Sequence, residues 1–398
     1  MADARVKRAF LHVGAPKTGT TFLQGILWRN QDALKAAGLH VVGARRRDHY
    51  MAGHDLRDLP FDPADPGLDW TGAWDALAKL AVASDVDNVI VSDEHLASLT
   101  PTQVKRAVDA LAPREVHVIY AARNLAGLMP SEWQEYIKHR STLTFDAWSR
   151  KVLGSATKGP GRWFWSVHDP VDVVDRWATG VDRARIHVMT MPPPAAGKHE
   201  LWIRFAAIIG VDPDAATDFE VEGNTSLGQA ETELLRRVNI ALPDDFPRWH
   251  QTGLARDVLA VKVLGARSRS GRPQLPAPLY TKLIARASAA VSGLRASGCD
   301  IVGDLDDLVV PDELVAGDPP PSDAEALDAA VDAVSGLLQQ MAWMRDDRQR
   351  WEDRFRRQVD SVAPSLRLRS RLVALENRNR VAGAIVGRLR AIRNRRRG

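Results

Sequence analysis

Hydrophobic positions in the first 225 or so residues gather into short runs, separated by longer stretches in which apolar residues recur at helical spacing. The runs are "AFLHVG" from Ala9, "NVIVSD" from Asn88, "VHVIYAA" from Val116 and "RIHVMTM" from Arg185. Short apolar runs bounded by turn residues read as buried strands, and their alternation with helices predicts a mainly parallel sheet flanked by helices on both faces. That is the doubly wound α/β class. Ligands of such sheets bind beyond the carboxyl ends of the strands, so the residues that follow each run are the candidates for chemistry.

From about 243 to 321 the pattern breaks into Pro, Gly and short polar runs such as "SRSGRPQLPAP" and "AGDPPPSD". Loops and short helices over the site are expected there. Beyond Pro319, Pro320 and Pro321, Leu327, Val331, Val334, Leu338 and Met341 alternate four and three apart on a predicted amphipathic helix. Two heptads are fewer than a coiled coil needs, so packing on the core and homodimerisation both stay open. The predicted organisation is a nucleotide-binding core over 1–242, a loop-rich covering segment over 243–321, the amphipathic helix over 322–363 and a tail over 364–398. No internal repeat is evident.

The first strand runs into "GAPKTGTTFLQGIL", where Phe22, Leu23, Ile26 and Leu27 mark a helix face. A glycine-rich turn between strand and helix aims backbone N–H groups at an anion, most often a phosphate. Gly14 and Gly19 have the spacing of a Walker A loop, which makes the fold P-loop-like. A Walker loop would place lysine after the second glycine, followed by a Ser or Thr on magnesium. Here Thr20 and Thr21 follow Gly19, and the lysine is Lys17. An ordinary ATP or GTP hydrolase is thereby disfavoured.

The segment "PKTGTT", Pro16 to Thr21, resembles the first signature of sulfotransferases that use 3'-phosphoadenosine 5'-phosphosulfate. The second signature of that family, an Arg at a strand end and a Ser eight residues later, resembles Arg123 and Ser131 in "VHVIYAARNLAGLMPSEWQEYI". The resemblance implies that Lys17, Thr18, Gly19, Thr20 and Thr21 wrap the 5'-phosphosulfate, with Lys17 on the bridging oxygen, and that Arg123 and Ser131 grip the 3'-phosphate. The residue chemistry agrees: a guanidinium offers a planar fork of donors to phosphate, and a hydroxyl adds a neutral one. Read singly, Arg123 is a strand-end salt bridge and Ser131 a helix N-terminal residue after Pro130.

Transfer to an alcohol also needs a base. "SDEH" after the second run offers Glu94, the preferred candidate because bacterial-type members look like "SSE" here, and His95 as its substitute. The competing reading makes Ser92 a helix cap, with Asp93 and Glu94 complementing the dipole. His49 and His54 either line an acceptor pocket or lie on a surface loop. "EGNTSLGQ" resembles an Asn-x-Ser-Leu loop of bacterial members, which implies that Asn224 and Ser226 help close the nucleotide site; the competing reading is a plain helix cap by Thr225 or Ser226. The family's C-terminal Arg-Lys-Gly element is not found as such. The expected activity is sulfuryl transfer to a hydroxyl acceptor, a carbohydrate or glycolipid, with no metal required. The alternatives are a P-loop kinase with an atypical lysine and a catalytically silent membrane-associated scaffold.

Composition narrows the setting. The chain has 398 residues, 45% of them apolar, enough for a large core. A lone cysteine, Cys299, excludes an intramolecular disulfide and, with no evident signal or spanning segment, points to the cytoplasm. The net charge of +4 hides an asymmetry: residues 366–398 hold eleven Arg and one Glu. Interleaved with Leu368, Leu372, Leu375, Val381, Ile385, Leu389 and Ile392, these arginines suit a basic amphipathic helix on an anionic membrane surface, peripheral at the inner face, or a helix on its own domain. Nucleic acid is the weaker expectation, because the tail has no aromatic residue for stacking.

Overall fold

A computed structural model of the chain describes residues 6–60, 69–197, 199–220, 227–267, 271–314 and 317–361. Six strands, β1 (Arg8–Gly14), β2 (Leu39–Val41), β3 (Asn88–Ser92), β4 (Glu115–Ala122), β5 (Ile186–Thr190) and β6 (Asp300–Val302), form one sheet in the order β2-β3-β1-β4-β5-β6. Every pairing is parallel. The four apolar runs are β1, β3, β4 and β5, and the α/β class with a P-loop-like sheet and a helical C-terminal extension stands.

Alternation along the strands sorts the core into two layers. Ala9, Leu11 and Val13 of β1, with Val118 and Tyr120 of β4, pack on one face against Trp74, Val104, Val174, Trp177 and Leu294 from the surrounding helices. Phe10, Ile90, Ile119 and Met189 point to the other, where the helices Thr20–Arg29 and Glu200–Ile209 bring Leu23, Ile26, Trp202 and Phe205. The chain passes from β1 outward to β2 and β3, then returns to β4 on the other side of β1. Neighbours β1 and β4 therefore connect in opposite directions, and the crevice at their carboxyl ends is the place such a sheet offers a ligand.

Residues 243–321 differ from the expected loops. They hold a π-helical segment Gln251–Val263, a helix Ala277–Ala296 whose Leu283, Val291 and Leu294 are buried, and the edge strand β6. Pro and Gly cluster only at the joints between these elements, so the punctuation was real and the segments between were structured.

The chain divides into two compact units, Met1–Ala333 and Val334–Gly398. The helix Asp323–Ser361 begins in the first and continues in the second. In the first unit Ala326 and Ala329 are buried while Leu327 and Val331 face solvent; in the second, Val334, Leu338 and Met341 are also exposed, each of the five seam residues at 58–63%. Within the first unit Leu327 and Val331 therefore do not serve core packing. Among the described residues no helix is long and apolar enough to cross a membrane. The basic tail, 364–398, and the Asn224 and Ser226 loop lie outside the described residues.

Candidate active site

The loop after β1 owes its path to close approaches. Gly14 has φ +117, and a Cβ there would lie 2.7 Å from the backbone oxygen of Glu94. Gly19, at φ +81, leaves no room for a Cβ beside Leu201. Lys17 itself takes φ 60, a left-handed conformation that costs a non-glycine residue about 1 kcal/mol or more and is kept where the surroundings demand it. Thr18 is fully buried and closes the turn by donating to the Ala15 carbonyl at 2.6 Å. Thr20 and Thr21 open the helix Thr20–Arg29, and the cap residue Gly19 brings no side-chain acceptor to its first-turn amides. Those amides and the dipole behind them make an anion cradle.

Arg123 follows β4 directly and donates from its guanidinium to the Lys17 carbonyl at 2.9 Å, which ties the two halves of the crevice together. The guanidinium packs over Gly127, where a Cβ would sit 3.5 Å from it. Ser131 donates to the Gly127 carbonyl at 3.3 Å. Arg123 and Ser131 thus meet on one face of the helix Leu125–Lys138. Ser131 is not the N-terminal residue that Pro130 suggested. Asn124 caps the helix six residues earlier by accepting from the Ala126 N–H, and Pro130 lies inside it, giving up one ladder hydrogen bond. Nor is Arg123 held in a salt bridge. Burial, then the charge of Arg272, lower its pKa, and neither guanidinium has a carboxylate partner among the described residues, although the Arg272 backbone N–H donates to Asp318 at 2.9 Å. Two cations and a hydroxyl without a counter-ion suit a dianion.

Lys17 Nζ donates to Glu135 at 2.7 Å. The same carboxylate is reached by Lys138 at 3.4 Å and His139 at 3.5 Å. Burial would raise the Glu135 pKa, but the His139 hydrogen bond and the two lysine charges overcome it and hold the group well below the usual carboxylate range. The sequence did carry a signal for Glu135, since it stands four residues after Ser131 on the same helix face.

At the end of β3, the cap of the short 3-10 turn Glu94–Ser98 is Asp93, not Ser92. Asp93 is buried and accepts from the His95 backbone N–H at 2.8 Å and meets His95 Nδ1 at 2.9 Å. Burial would push the His95 pKa down; the Asp93 charge and hydrogen bond outweigh it, and the pKa is raised. With Nδ1 committed to Asp93, Nε2 is the nitrogen that can take a proton. Glu94 accepts from Gln24 at 3.0 Å, and Gln24 also receives Arg46 and donates to the Ser92 carbonyl. Ser92 itself faces the buried His12, whose Nδ1 lies 2.7 Å from its hydroxyl.

"RRRDHYMAGHDL" is the helix Arg46–Leu56 rather than a loop. His49 is buried in it, with Nε2 2.6 Å from the Val42 carbonyl and Nδ1 accepting from the Ser92 N–H at 3.1 Å, a structural role. His54 lies beside His95, ring centroids 6.1 Å apart. Separately, an apolar cavity of about 230 Å³ lies behind Arg123, walled by Tyr120, Leu128, Trp165 and Ala287. It shares Ala15 and Arg123 with the loop, but neither Lys17 nor His95 lines it.

No family model and no curated protein matches the chain. Two solved sulfotransferase structures are similar to part of the chain. A sulfotransferase from Alicyclobacillus acidocaldarius aligns over 62% of this chain and 96% of that one, with 18% identity and a TM-score of 0.38. The sulfotransferase domain from the curacin biosynthetic pathway aligns over 55% and 81%, with 13% identity and a TM-score of 0.31.

Proposed function

We propose that this chain is a sulfotransferase, moving a sulfuryl group from 3'-phosphoadenosine 5'-phosphosulfate to a hydroxyl on a carbohydrate or glycolipid. The observation that carries the reading is the Lys17 loop joined to Arg123, with Ser131 near it and with no carboxylate on the Arg123 or Arg272 guanidinium among the described residues. A loop of amides alone would hold any phosphate; the second cationic pocket asks for a nucleotide with a further phosphate, the feature that separates this donor from ATP. The nucleotide supplies the activated sulfuryl group and departs as 3'-phosphoadenosine 5'-phosphate.

The chain's own residues then divide the work. Loop amides with Thr18, Gly19, Thr20 and Thr21 bind the 5' end, and Lys17 meets charge developing on the leaving oxygen, where a preorganised cation acts most strongly. Arg123, Ser131 and Arg272 fix the 3' end and so orient the donor. His95, held by Asp93, accepts the acceptor's proton at Nε2. Glu94, engaged with Gln24, remains the second candidate for that role.

The test is thermal unfolding with 3'-phosphoadenosine 5'-phosphate, AMP and magnesium ATP in parallel. At a hundred times its dissociation constant, the bisphosphate adds about 2.7 kcal/mol of stability. Equal shifts with AMP defeat the reading, and a magnesium-dependent ATP shift alone favours a kinase. Binding of the bisphosphate with neither turnover on any acceptor nor hydrolysis of the donor favours the scaffold.

A further inference from the structure

The surroundings of His95 contain more positive charge and more aromatic surface than proton transfer needs. Tyr50 and His54 stand with ring centroids 4.0 Å apart on the helix Arg46–Leu56. The His95 ring lies 6.3 Å from Tyr50, 6.1 Å from His54 and 6.1 Å from Trp163. Tyr50 is 39% exposed, so this wall is open to a ligand. Flat rings of this kind accept the apolar face of a sugar or an aromatic ring.

Arg57 sits at the end of the same helix, its guanidinium 5.0 Å above the Trp163 ring. Stacking occupies the face of a guanidinium and none of its five N–H donors. Among the described residues the Arg57 guanidinium makes no hydrogen bond and no ion pair, its backbone N–H alone donating to the Gly53 carbonyl at 3.2 Å. The nearby carboxylates are taken: Asp93 by His95, Glu94 by Gln24, and Glu135 by Lys17, Lys138 and His139. Arg256, from Gln251–Val263, lies within Coulomb reach of both Tyr50 and Lys138. It joins the aromatic wall to the Lys17–Glu135 pair. Its own ion pair is with its sequence neighbour Asp257 at 2.8 Å, partly exposed. A cleft that leaves an arginine fork unspent beside the base, with a second arginine acting on the same Tyr50, is complementary to an anion.

We propose that the acceptor is itself anionic and ring-bearing, its ring against Tyr50, His54 and Trp163 and its carboxylate, sulfate or phosphate held by Arg57 with Arg256 beside it. This deepens, and rests on, the sulfuryl-transfer reading. The charge would place the acceptor hydroxyl near His95 in one register, which an aromatic wall alone cannot do.

The test compares matched ligands by calorimetric titration, each with and without 3'-phosphoadenosine 5'-phosphate: 4-nitrophenyl glucuronide against 4-nitrophenyl glucoside for sugars, and 4-hydroxybenzoate against phenol for simple aromatics. The charged member of at least one pair is expected to bind about tenfold tighter or more, the scale of one charge-assisted contact, and which pair responds identifies the ring. Arg57→Ala should abolish most of that preference, Arg57→Lys should restore part of it, and Arg256→Ala should weaken it. None should change the affinity for the bisphosphate. Should Arg57→Ala fail to fold, Arg57→Lys and Arg256→Ala carry the comparison. Equal binding of both members, no binding of either, or a preference that survives loss of each arginine overturns the proposal. If the bisphosphate does not bind while the anionic preference stands, it is the sulfuryl-transfer reading that falls.

Discussion

Arg123→Ala tests the nucleotide site most directly, because the side chain has two separable jobs. One is structural: the guanidinium holds the Lys17 carbonyl at 2.9 Å and so helps order the loop. The other, on the proposed function, is recognition of a 3'-phosphate together with Ser131 and Arg272. Loss of the first weakens every nucleotide alike, since all of them use the loop for the 5' end. Loss of the second weakens only those with a 3'-phosphate. A hydrogen bond to a charged group is worth about 1.5 to 3 kcal/mol, so the ratio of affinities for 3'-phosphoadenosine 5'-phosphate and AMP should fall about tenfold to a hundredfold. Arg272 remains, and part of the preference with it; Arg123→Ala with Arg272→Ala should remove the preference, non-additively because the two cations interact. Calorimetry at one fixed ionic strength measures both affinities, and melting of the unliganded variant reports loop damage separately. A variant that binds both nucleotides more weakly with an unchanged ratio would show that Arg123 only organises the loop, and the reasoning would be refuted.

Two further predictions concern the base and the C-terminal helix. The raised pKa of His95, which burial lowers and Asp93 more than restores, means that neutral imidazole prevails only above its ordinary value of 6.5. Turnover should therefore rise with pH through a limb above 6.5, and Asp93→Asn should move that limb to lower pH as the rate drops. His95→Ala should cost about a hundredfold to ten-thousandfold; if Glu94→Gln carries that loss instead, the base is Glu94. For stability the sign is reversed. The Asp93–His95 contact favours protonated His95, so its contribution is full below pH 6.5 and fades as pH rises through the folded pKa; that of Asp93, whose pKa is lowered, is lost as pH falls through its own. The exposed seam of Leu327, Val331, Val334, Leu338 and Met341 predicts self-association through the helix Asp323–Ser361, which sedimentation should detect and Val334→Glu with Leu338→Glu should abolish. A monomer at every concentration would count against it.

What the sequence made legible was set by how far each residue's role depends on near neighbours. β1, β3, β4 and β5 are apolar over enough positions to announce themselves, whereas β2 and β6 have three residues each, too few to show any period. The helix Arg46–Leu56 escaped for a different reason: its buried positions are His49, Ala52, Gly53 and Leu56, correctly spaced at three and four, but only Leu56 among them is strongly hydrophobic. Its start is fixed by Asp48, which accepts from the Ala44 N–H at 2.9 Å, a capping contact open to local reading. The helix Ala277–Ala296 was obscured by the Pro and Gly residues that flank it.

The candidate site divides along the same line. Lys17 and Arg123 could be named from local motifs because each sits where a strand ends and the sheet delivers it to one crevice. The assignment of Asp93 to His95 needed only a two-residue separation, yet both chemistries, cap and dyad, use the same Asp93 oxygen, and sequence cannot rank two uses of one atom. Arg272 and Arg57 were beyond reach in principle. Each guanidinium lacks a carboxylate partner among the described residues, and that is a property of the packed neighbourhood, not of the residue. Arginine partly withdrawn from water is tolerated when something anionic repays the desolvation. On the proposed function, the anion missing beside the Arg123 and Arg272 guanidiniums is a 3'-phosphate and the one missing beside Arg57 is a charge on the molecule to be modified, so the carboxylate-free guanidiniums would serve donor and acceptor in turn.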